Sequence, residues 1–217
     1  MLESPLVEDP PGRELDRGSR IGFGIGPKAR ALERQVLSLE GRAPGTYGHA
    51  HRVGVYAAEL ARALGLSRAE VRRVRRAGAL HDIGKTQVPG EILNKPGPLT
   101  GEELDVVSRH AQIGAAMVAG LGDPELTAIV RHHHERYDGS GYPDGLAGEE
   151  IPLGARLIGV CDTFDALTTH RPYRRGIGYP QALAALAAEA GTQLDPKLTG
   201  LFRERFARIW GSGGLAA

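Results

Sequence analysis

The chain of 217 residues has 27 lysines and arginines against 26 acidic residues, and this balance excludes the basic field of a duplex nucleic-acid binder. Its single cysteine, Cys161, excludes an internal disulfide and predicts a reducing compartment, the cytoplasm. The N-terminus lacks the basic and apolar regions of a signal peptide, and no run of about 18 apolar residues predicts a membrane span.

The first half of the chain gives a series of helix signals. Residues 1–27, with Pro5, Pro10, Pro11 and few large apolar side chains, are expected to form a flexible tail. Residues 28–45 are expected to form an N-terminal helix, from Lys28 to Leu39, and a linker. Apolar residues at spacings of three and four predict the next helix, from His49 to Leu64. A capping box at Ser67 then opens a third helix.

The second half continues in the same way. Thr100 opens another capping box, and Asp123 followed by Pro124 is typical of a helix N-terminus. Helices are therefore predicted from Thr100 to about Gly120, from Asp123 to the histidine run, and over Pro152–Thr169, Pro180–Ala190 and Pro196–Trp210. No strand alternation of useful length appears. The sequence predicts an all-α fold with one catalytic domain over residues 46–210 and a flexible tail over residues 211–217.

A histidine and an aspartate stand side by side at the end of a predicted helix. Neighbouring helical residues point about 100° apart, so His81 can bind one metal ion while Asp82 bridges to a second. His-Asp alone is more typical of an ordinary helix terminus, where the dipole favours histidine. Gly84 and Lys85 favour the metal interpretation, because the glycine lets the backbone turn and the lysine can then meet a phosphate.

Three consecutive histidines end the helix that starts at Asp123. His133 and His134 are the candidate ligands, and His132 is interpreted as a bystander because three successive helical side chains cannot face one site. Mixed imidazole and carboxylate donors suit iron, manganese or zinc better than magnesium or calcium.

Three single residues extend the candidate set. His49 and His110 lie on apolar stripes of their helices, where a lone histidine is commonly a hydrogen-bonded core residue. Asp162 lies within an apolar run, where a carboxylate is costly unless it is paired or bound to metal. Asp165, one turn later, is a candidate for orienting a ligand. The arginine run from Arg72 to Arg76 is interpreted as a solvated helix face, with anionic-substrate steering as the alternative.

Taken in order, these segments resemble the HD-GYP family of phosphohydrolases over nearly all of residues 46–206. The resemblance rests on Tyr47–Val53, Leu80–Lys85, Arg109–Gly114, the loop from His133 to Pro143, Ile151–Leu153, Val160–Thr168 and Arg171–Arg174. His-Asp alone is a weak signal, whereas the ordered set is highly specific.

The resemblance implies an HD-domain helical bundle around a di-metal site that hydrolyses cyclic di-GMP to pGpG, and in some members on to GMP. It implies two divalent ions, iron or manganese, with Asp82 bridging. The implied metal ligands are His49, His81, Asp82, His110, His133, His134 and Asp162. Asp82 and Lys85 are the implied catalytic residues, and the implied substrate contacts are Lys85, Arg171, Arg174, Gly141, Tyr142 and Pro143.

One position departs from the family pattern. Members with a third metal have a glutamate four residues before the first histidine, where this chain has Gly45. The sequence therefore predicts two metals and pGpG as the main product, unless an acidic side chain such as Glu40 reaches in. The expected partners are cyclic di-GMP, a second copy of the chain in a homodimer, and a regulatory protein at the Gly141–Pro143 loop.

Two other functions stay open. One is an HD phosphohydrolase that acts on another nucleotide or cyclic dinucleotide. The other is a cyclic dinucleotide receptor or docking module without turnover. Loss of metal ligands would favour the second, but all seven implied ligands are present.

Overall fold

A computed structural model describes residues 26–170 and 175–211, and within these ranges the chain is helical and contains no strand. The all-α prediction is confirmed. The α-helices of the described residues are α1 (Pro27–Arg42), α2 (Thr46–Ala63), α3 (Arg68–Leu80), α4 (Gly90–Leu93), α5 (Gly101–Ser108), α6 (His110–Ala119), α7 (Pro124–His132), α8 (Leu153–Thr168), α9 (Tyr179–Ala188) and α10 (Pro196–Gly211). Short 3-10 helices cover Ile83–Gln87 and Gly148–Glu150.

The predicted helix starts agree with the local hydrogen bonds. Ser67 and Thr100 each form a complete capping box, with Glu70 and Glu103 respectively. Asp123 caps α7 by accepting from the amide of Leu126 at 3.0 Å. Apart from Gly26, Pro27 and Gly211, the predicted tails over residues 1–27 and 211–217 lie outside the described residues. The division into a tail, a linker and a catalytic domain stays a prediction.

One helix that the sequence predicts as continuous is two helices in the structure. The helix expected from Thr100 to about Gly120 is interrupted at Arg109 and becomes α5 and α6. At this point the chain packs against the 3-10 helix Ile83–Gln87, and a Cβ on Gly84 would lie only 2.0 Å from the carbonyl oxygen of His110. This is a tertiary contact between distant segments, so the local helix signals could not indicate the break.

The core forms around α2, which packs against α1, α3, α8 and α10. Aromatic side chains from three helices meet there, and Phe164 of α8 lies with its ring centroid 5.9 Å from Tyr56 and 5.0 Å from Phe202. These rings are buried. No helix in the described ranges is both long enough and apolar enough to cross a membrane.

A close crossing of α2 and α3 brings two candidate ligands together. A Cβ on Gly78 would lie 2.7 Å from the Cα of Gly54, so the two backbones meet where neither residue has a side chain. His81 follows Gly78 by three residues, and its ring centroid lies 5.2 Å from that of His49 on α2. The crossing therefore sets the spacing of these two histidines.

We expect Gly78→Ala to lower the free energy of unfolding by about 1–3 kcal/mol, because the added methyl group forces two packed backbones apart. Gly200→Ala is the matched control, since Gly200 is an exposed residue of α10 where a Cβ meets nothing within 4 Å, and it should be neutral or stabilising. Urea unfolding followed by circular dichroism measures both. Equal midpoints for the two variants would contradict the close crossing.

Candidate metal centre

Five histidine rings meet where the ends of several helices converge. His49 comes from α2, His81 from the end of α3, His110 from the start of α6, and His133 and His134 from the end of α7. Neighbouring ring centroids in this group lie 4.1–5.3 Å apart. Asp82 and Asp162 face the same group. The structure therefore brings together all seven ligands implied by the sequence resemblance.

Three of these histidines each make the same kind of hydrogen bond. The Nδ1 atoms of His81, His110 and His133 lie 2.7, 2.6 and 2.8 Å from the carbonyl oxygen three residues earlier in each case. A carbonyl oxygen can only accept, so Nδ1 carries a proton, and in the neutral ring that binds metal the lone pair is on Nε2. Each ring is thus held with an open Nε2 toward the centre of the group.

His49 is oriented by a carboxylate instead. Its Nδ1 donates to Asp165 Oδ2 at 2.7 Å. Arg52 holds the same carboxylate through two contacts of 2.6 and 3.0 Å, and Thr169 donates to it at 3.2 Å. A carboxylate behind a histidine is a recurring support for metal ligands. Asp165 was a candidate for this role, whereas sequence reasoning missed Arg52.

The polar atoms at the centre are mostly hydrogen-bond acceptors that lack a donor. His110 Nε2 and His133 Nε2 lie 3.3 Å apart, and because both protons are on Nδ1 this is an approach of two lone pairs. His81 Nε2 and Asp82 Oδ1 are buried with no hydrogen-bond partner among the described residues. Buried acceptors without a donor are costly, and a metal ion would satisfy them. The donor set therefore fits metal binding.

The ligand atoms fall into two groups that share Asp82. One group is Asp82 with His110, His133 and His134, and the other is Asp82 with His49 and His81. Asp82 Oδ1 lies 3.3 Å from His110 Nε2, while Oδ2 lies 3.4 Å from His81 Nε2. Asp162 lies beside the second group, with Oδ1 3.2 Å from His49 Nε2.

The protonation states suit metal binding in most of this set. Burial and the neighbouring rings lower the pKa of His133 far below its usual value, and burial together with His110 lowers the pKa of His134 to about 3. Burial opposes ionisation of Asp82, but His81 and Lys85 hold its pKa well below the usual range. Burial also disfavours charge on His49, yet Asp162 and Asp165 outweigh it and raise that pKa to about 9. A metal must therefore displace a proton at His49.

The predicted site residues that are not metal ligands are Lys85, the Gly141–Pro143 loop, Arg171 and Arg174. Lys85 Nζ lies 2.6 Å from Asp82 Oδ2, so its ammonium group already faces the centre. The Gly141–Pro143 loop contacts the site through Tyr142, whose ring centroid is 4.9 Å from that of His134. Arg171 and Arg174 lie outside the described residues.

Two nearby acidic or basic side chains are engaged elsewhere. His132 does not join the five histidines; its Nδ1 lies 3.4 Å from Glu135 Oε1 and 3.5 Å from Asp144 Oδ2. Glu40 accepts from the amides of Gly45 and Tyr47 at 2.8 and 2.7 Å, at the start of α2. Neither residue is part of the two ligand groups around Asp82 in the described chain.

The profile of the HD-domain family matches residues 34–198. The chain belongs to the HD-domain family. Its motifs and relatives place it in the HD-GYP branch. It is 44% identical over 169 residues to the cyclic di-GMP phosphodiesterase response regulator RpfG of Xanthomonas campestris, which covers 76% of this chain and 45% of that protein.

Two further comparisons are with a second curated phosphodiesterase and with a solved structure. The chain is 41% identical over 160 residues to 3'3'-cGAMP-specific phosphodiesterase 3 of Vibrio cholerae, covering 73% of this chain and 35% of that protein. An HDG"Y"P protein of Bdellovibrio bacteriovorus has the same fold, with a TM-score of 0.62, 21% identity, and coverage of 82% of this chain and 62% of that chain. The chain spans less than half the length of each of these two curated relatives.

We expect Asp165→Asn to weaken metal binding by roughly 10–100-fold, because an amide no longer fixes the His49 tautomer as a carboxylate does. Competition against a chromophoric chelator with manganese or zinc measures the affinity. Asp105→Asn, on the exposed face of α5, removes the same charge away from the site and should bind metal like the wild type. Unchanged affinity in Asp165→Asn, with a wild-type melting temperature, would contradict this role.

Proposed function

We propose that this chain is a metal-dependent phosphodiesterase that hydrolyses cyclic di-GMP to pGpG. The observation that supports this best is the buried carboxylate of Asp82, which is shared by two histidine groups. Cyclic dinucleotide phosphodiesterases at 41–44% identity support the substrate class. A soluble, cytoplasmic location is part of the proposal and stays a prediction.

The proposed centre holds two divalent ions, iron or manganese. The first would be bound by Asp82, His110, His133 and His134, and the second by Asp82, His49, His81 and Asp162. When bound, two such ions lower the pKa of a water molecule and neutralise a phosphodiester. Imidazole nitrogens mixed with carboxylate oxygens are donors that suit iron and manganese.

The proposed role of Lys85 is to stabilise charge on the reacting phosphate. Its ammonium group lies 2.6 Å from Asp82 Oδ2 and its side chain is about a quarter exposed, so it can reach both the centre and a bound phosphate. A fixed positive charge placed where negative charge develops lowers the barrier. The proposed substrate contacts also include Gly141, Tyr142 and Pro143, together with Arg171 and Arg174.

A second candidate substrate is 3'3'-cGAMP, since a relative at 41% identity is named for that activity. Both cyclic dinucleotides contain the same phosphodiester linkage, so the metal centre serves either one. A receptor without turnover is less well supported, because the full ligand set converges. The homodimer and the regulatory protein at the Gly141–Pro143 loop stay predictions.

We expect Lys85→Ala to lose turnover of cyclic di-GMP while it binds metal at least as tightly as the wild type. The lysine competes with a metal for Asp82 Oδ2, so its removal frees that oxygen. Asp82→Ala should lose both turnover and metal, because both groups share this carboxylate. Chelator competition and a turnover assay are run on each variant. Lys95→Ala, which removes a lysine paired with Glu103, is the control and should keep both properties.

Metal loss in Lys85→Ala equal to that in Asp82→Ala would contradict the assignment of Lys85 to the phosphate. Full turnover in Asp82→Ala would contradict the mechanism as a whole.

We expect two metals per chain and pGpG as the main product. Gly45 has no side chain to bind a third metal, and Glu40 already accepts two backbone amides at the start of α2. Elemental analysis of protein loaded anaerobically with iron or manganese measures the metal count. Chromatography of digests of cyclic di-GMP and 3'3'-cGAMP identifies the products and the preferred substrate. Three metals per chain, or rapid release of GMP, would contradict the proposal.

A further inference from the structure

His134 differs from the other four histidines of the centre in how it is held. His49, His81, His110 and His133 each have Nδ1 fixed by a carboxylate or carbonyl oxygen. Within residues 26–170 and 175–211, the His134 ring makes no such hydrogen bond. A ring without this support can rotate away from a shared ion, so another contact must set its orientation.

Contacts with neighbouring rings hold the His134 ring instead of a hydrogen bond. The His134 ring lies 4.1 Å from His133, at an interplanar angle of 42°, and 4.9 Å from Tyr142, at 32°. His110 meets the ring edge-on at 4.9 Å and 77°. His133 and His110 are themselves held by hydrogen bonds and act as ligands. Tyr142 is therefore the one of these three neighbours whose contact with His134 is not already explained by metal binding.

The backbone around Tyr142 is fixed against the segment that contains His134. The amide of Tyr142 donates to the carbonyl oxygen of His134 at 3.3 Å. A Cβ on Gly141 would lie 2.6 Å from that same oxygen and 2.5 Å from Glu135 Cα, so only glycine permits this approach. The backbone of Tyr142 is thus held beside His134, which brings the two rings into contact.

The far side of the loop is anchored as well. Asp144 donates its amide to Glu135 Oε1 at 2.8 Å, and the Glu135 side chain is fully buried. Arg131 holds the Asp144 carboxylate with contacts of 2.8 and 2.7 Å. Both anchors belong to the stretch that also contains His133 and His134. These bonds tie the loop to the segment that holds the two ligands.

We propose that Tyr142 is a positioning residue for the metal centre, and that the flat face of its ring fixes the orientation of His134. This extends the proposed function, and it depends on the metal centre but not on which cyclic dinucleotide is the substrate. It gives the tyrosine a role in metal binding that does not depend on contact with the substrate. The hydroxyl group has no part in this role.

The test compares Tyr142→Phe, Tyr142→Leu and Tyr142→Ala in the full chain. Cobalt(II) is the probe, because its affinity can be measured by chelator competition and its absorption spectrum reports ligand geometry. Tyr142→Phe keeps the ring face and should bind like the wild type. Tyr142→Ala and Tyr142→Leu should bind roughly 10–100-fold more weakly with an altered spectrum, since neither keeps a flat ring.

Tyr137→Ala is the matched control. Tyr137 is a half-buried tyrosine five residues earlier, and its backbone amide and carbonyl bonds to Gln193 and Gly148 do not need its ring. It should leave cobalt binding unchanged. Melting temperatures separate a folding defect from a local one, and Tyr142→Leu fills the space if Tyr142→Ala does not fold.

Either of two results would overturn the proposal. Equal weakening in Tyr142→Phe and Tyr142→Ala would assign the effect to the hydroxyl group. Wild-type cobalt affinity and spectrum in Tyr142→Leu, with a raised KM alone, would assign Tyr142 to the substrate. Cobalt binding is measured without a nucleotide, so it does not depend on the substrate. Failure of wild-type protein to hydrolyse cyclic di-GMP would reject the proposed substrate, and the cobalt comparison would still test the role of Tyr142.

Discussion

The centre depends on hydrogen bonds that the Nδ1 atoms of four of its five histidines donate. A neutral imidazole has one proton, and whichever nitrogen donates leaves the other as the ligand. Carbonyl oxygens at 2.6–2.8 Å from His81, His110 and His133 place that proton on Nδ1 in all three rings. The open nitrogens then converge, and His110 and His133 approach to 3.3 Å. Without these bonds the rings could turn away and relieve the crowding.

The helix termini make this arrangement available. The last carbonyl oxygens of an α-helix have no intrahelical partner, so a histidine near the terminus can satisfy one of them with its own ring. His81 and His133 occupy the positions that end α3 and α7, and His110 follows the break after α5. One hydrogen bond thus completes a helix end and also aims a metal ligand, which links the stability of the fold to the geometry of the site.

Charge balance is maintained by cations around the buried carboxylates. Asp165 is buried but meets Arg52 and His49, and Asp82 is buried but meets Lys85. A buried carboxylate without such a partner would be strongly destabilising. The Arg52–Asp165 pair and the Lys85–Asp82 pair have different roles. Arg52 and Asp165 support a ligand from behind, whereas Lys85 faces the centre, where a metal or a phosphate can compete for its contact.

The sequence by itself determined the helical class, most helix limits and the seven candidate ligands. Periodic apolar residues and capping boxes act locally, so α2, α3 and α7 could be placed from neighbouring residues alone. Ordered motifs also identified His49, His110 and Asp162, although a lone histidine on an apolar stripe is ambiguous. The structure alone decided which histidine each partner orients. The break at Arg109, the Arg52–Asp165 support of His49 and the contact of Tyr142 with His134 join residues from packed segments, and their geometry depends on how those segments meet. Local sequence patterns do not encode such contacts, because the free energy that holds them comes from tertiary packing.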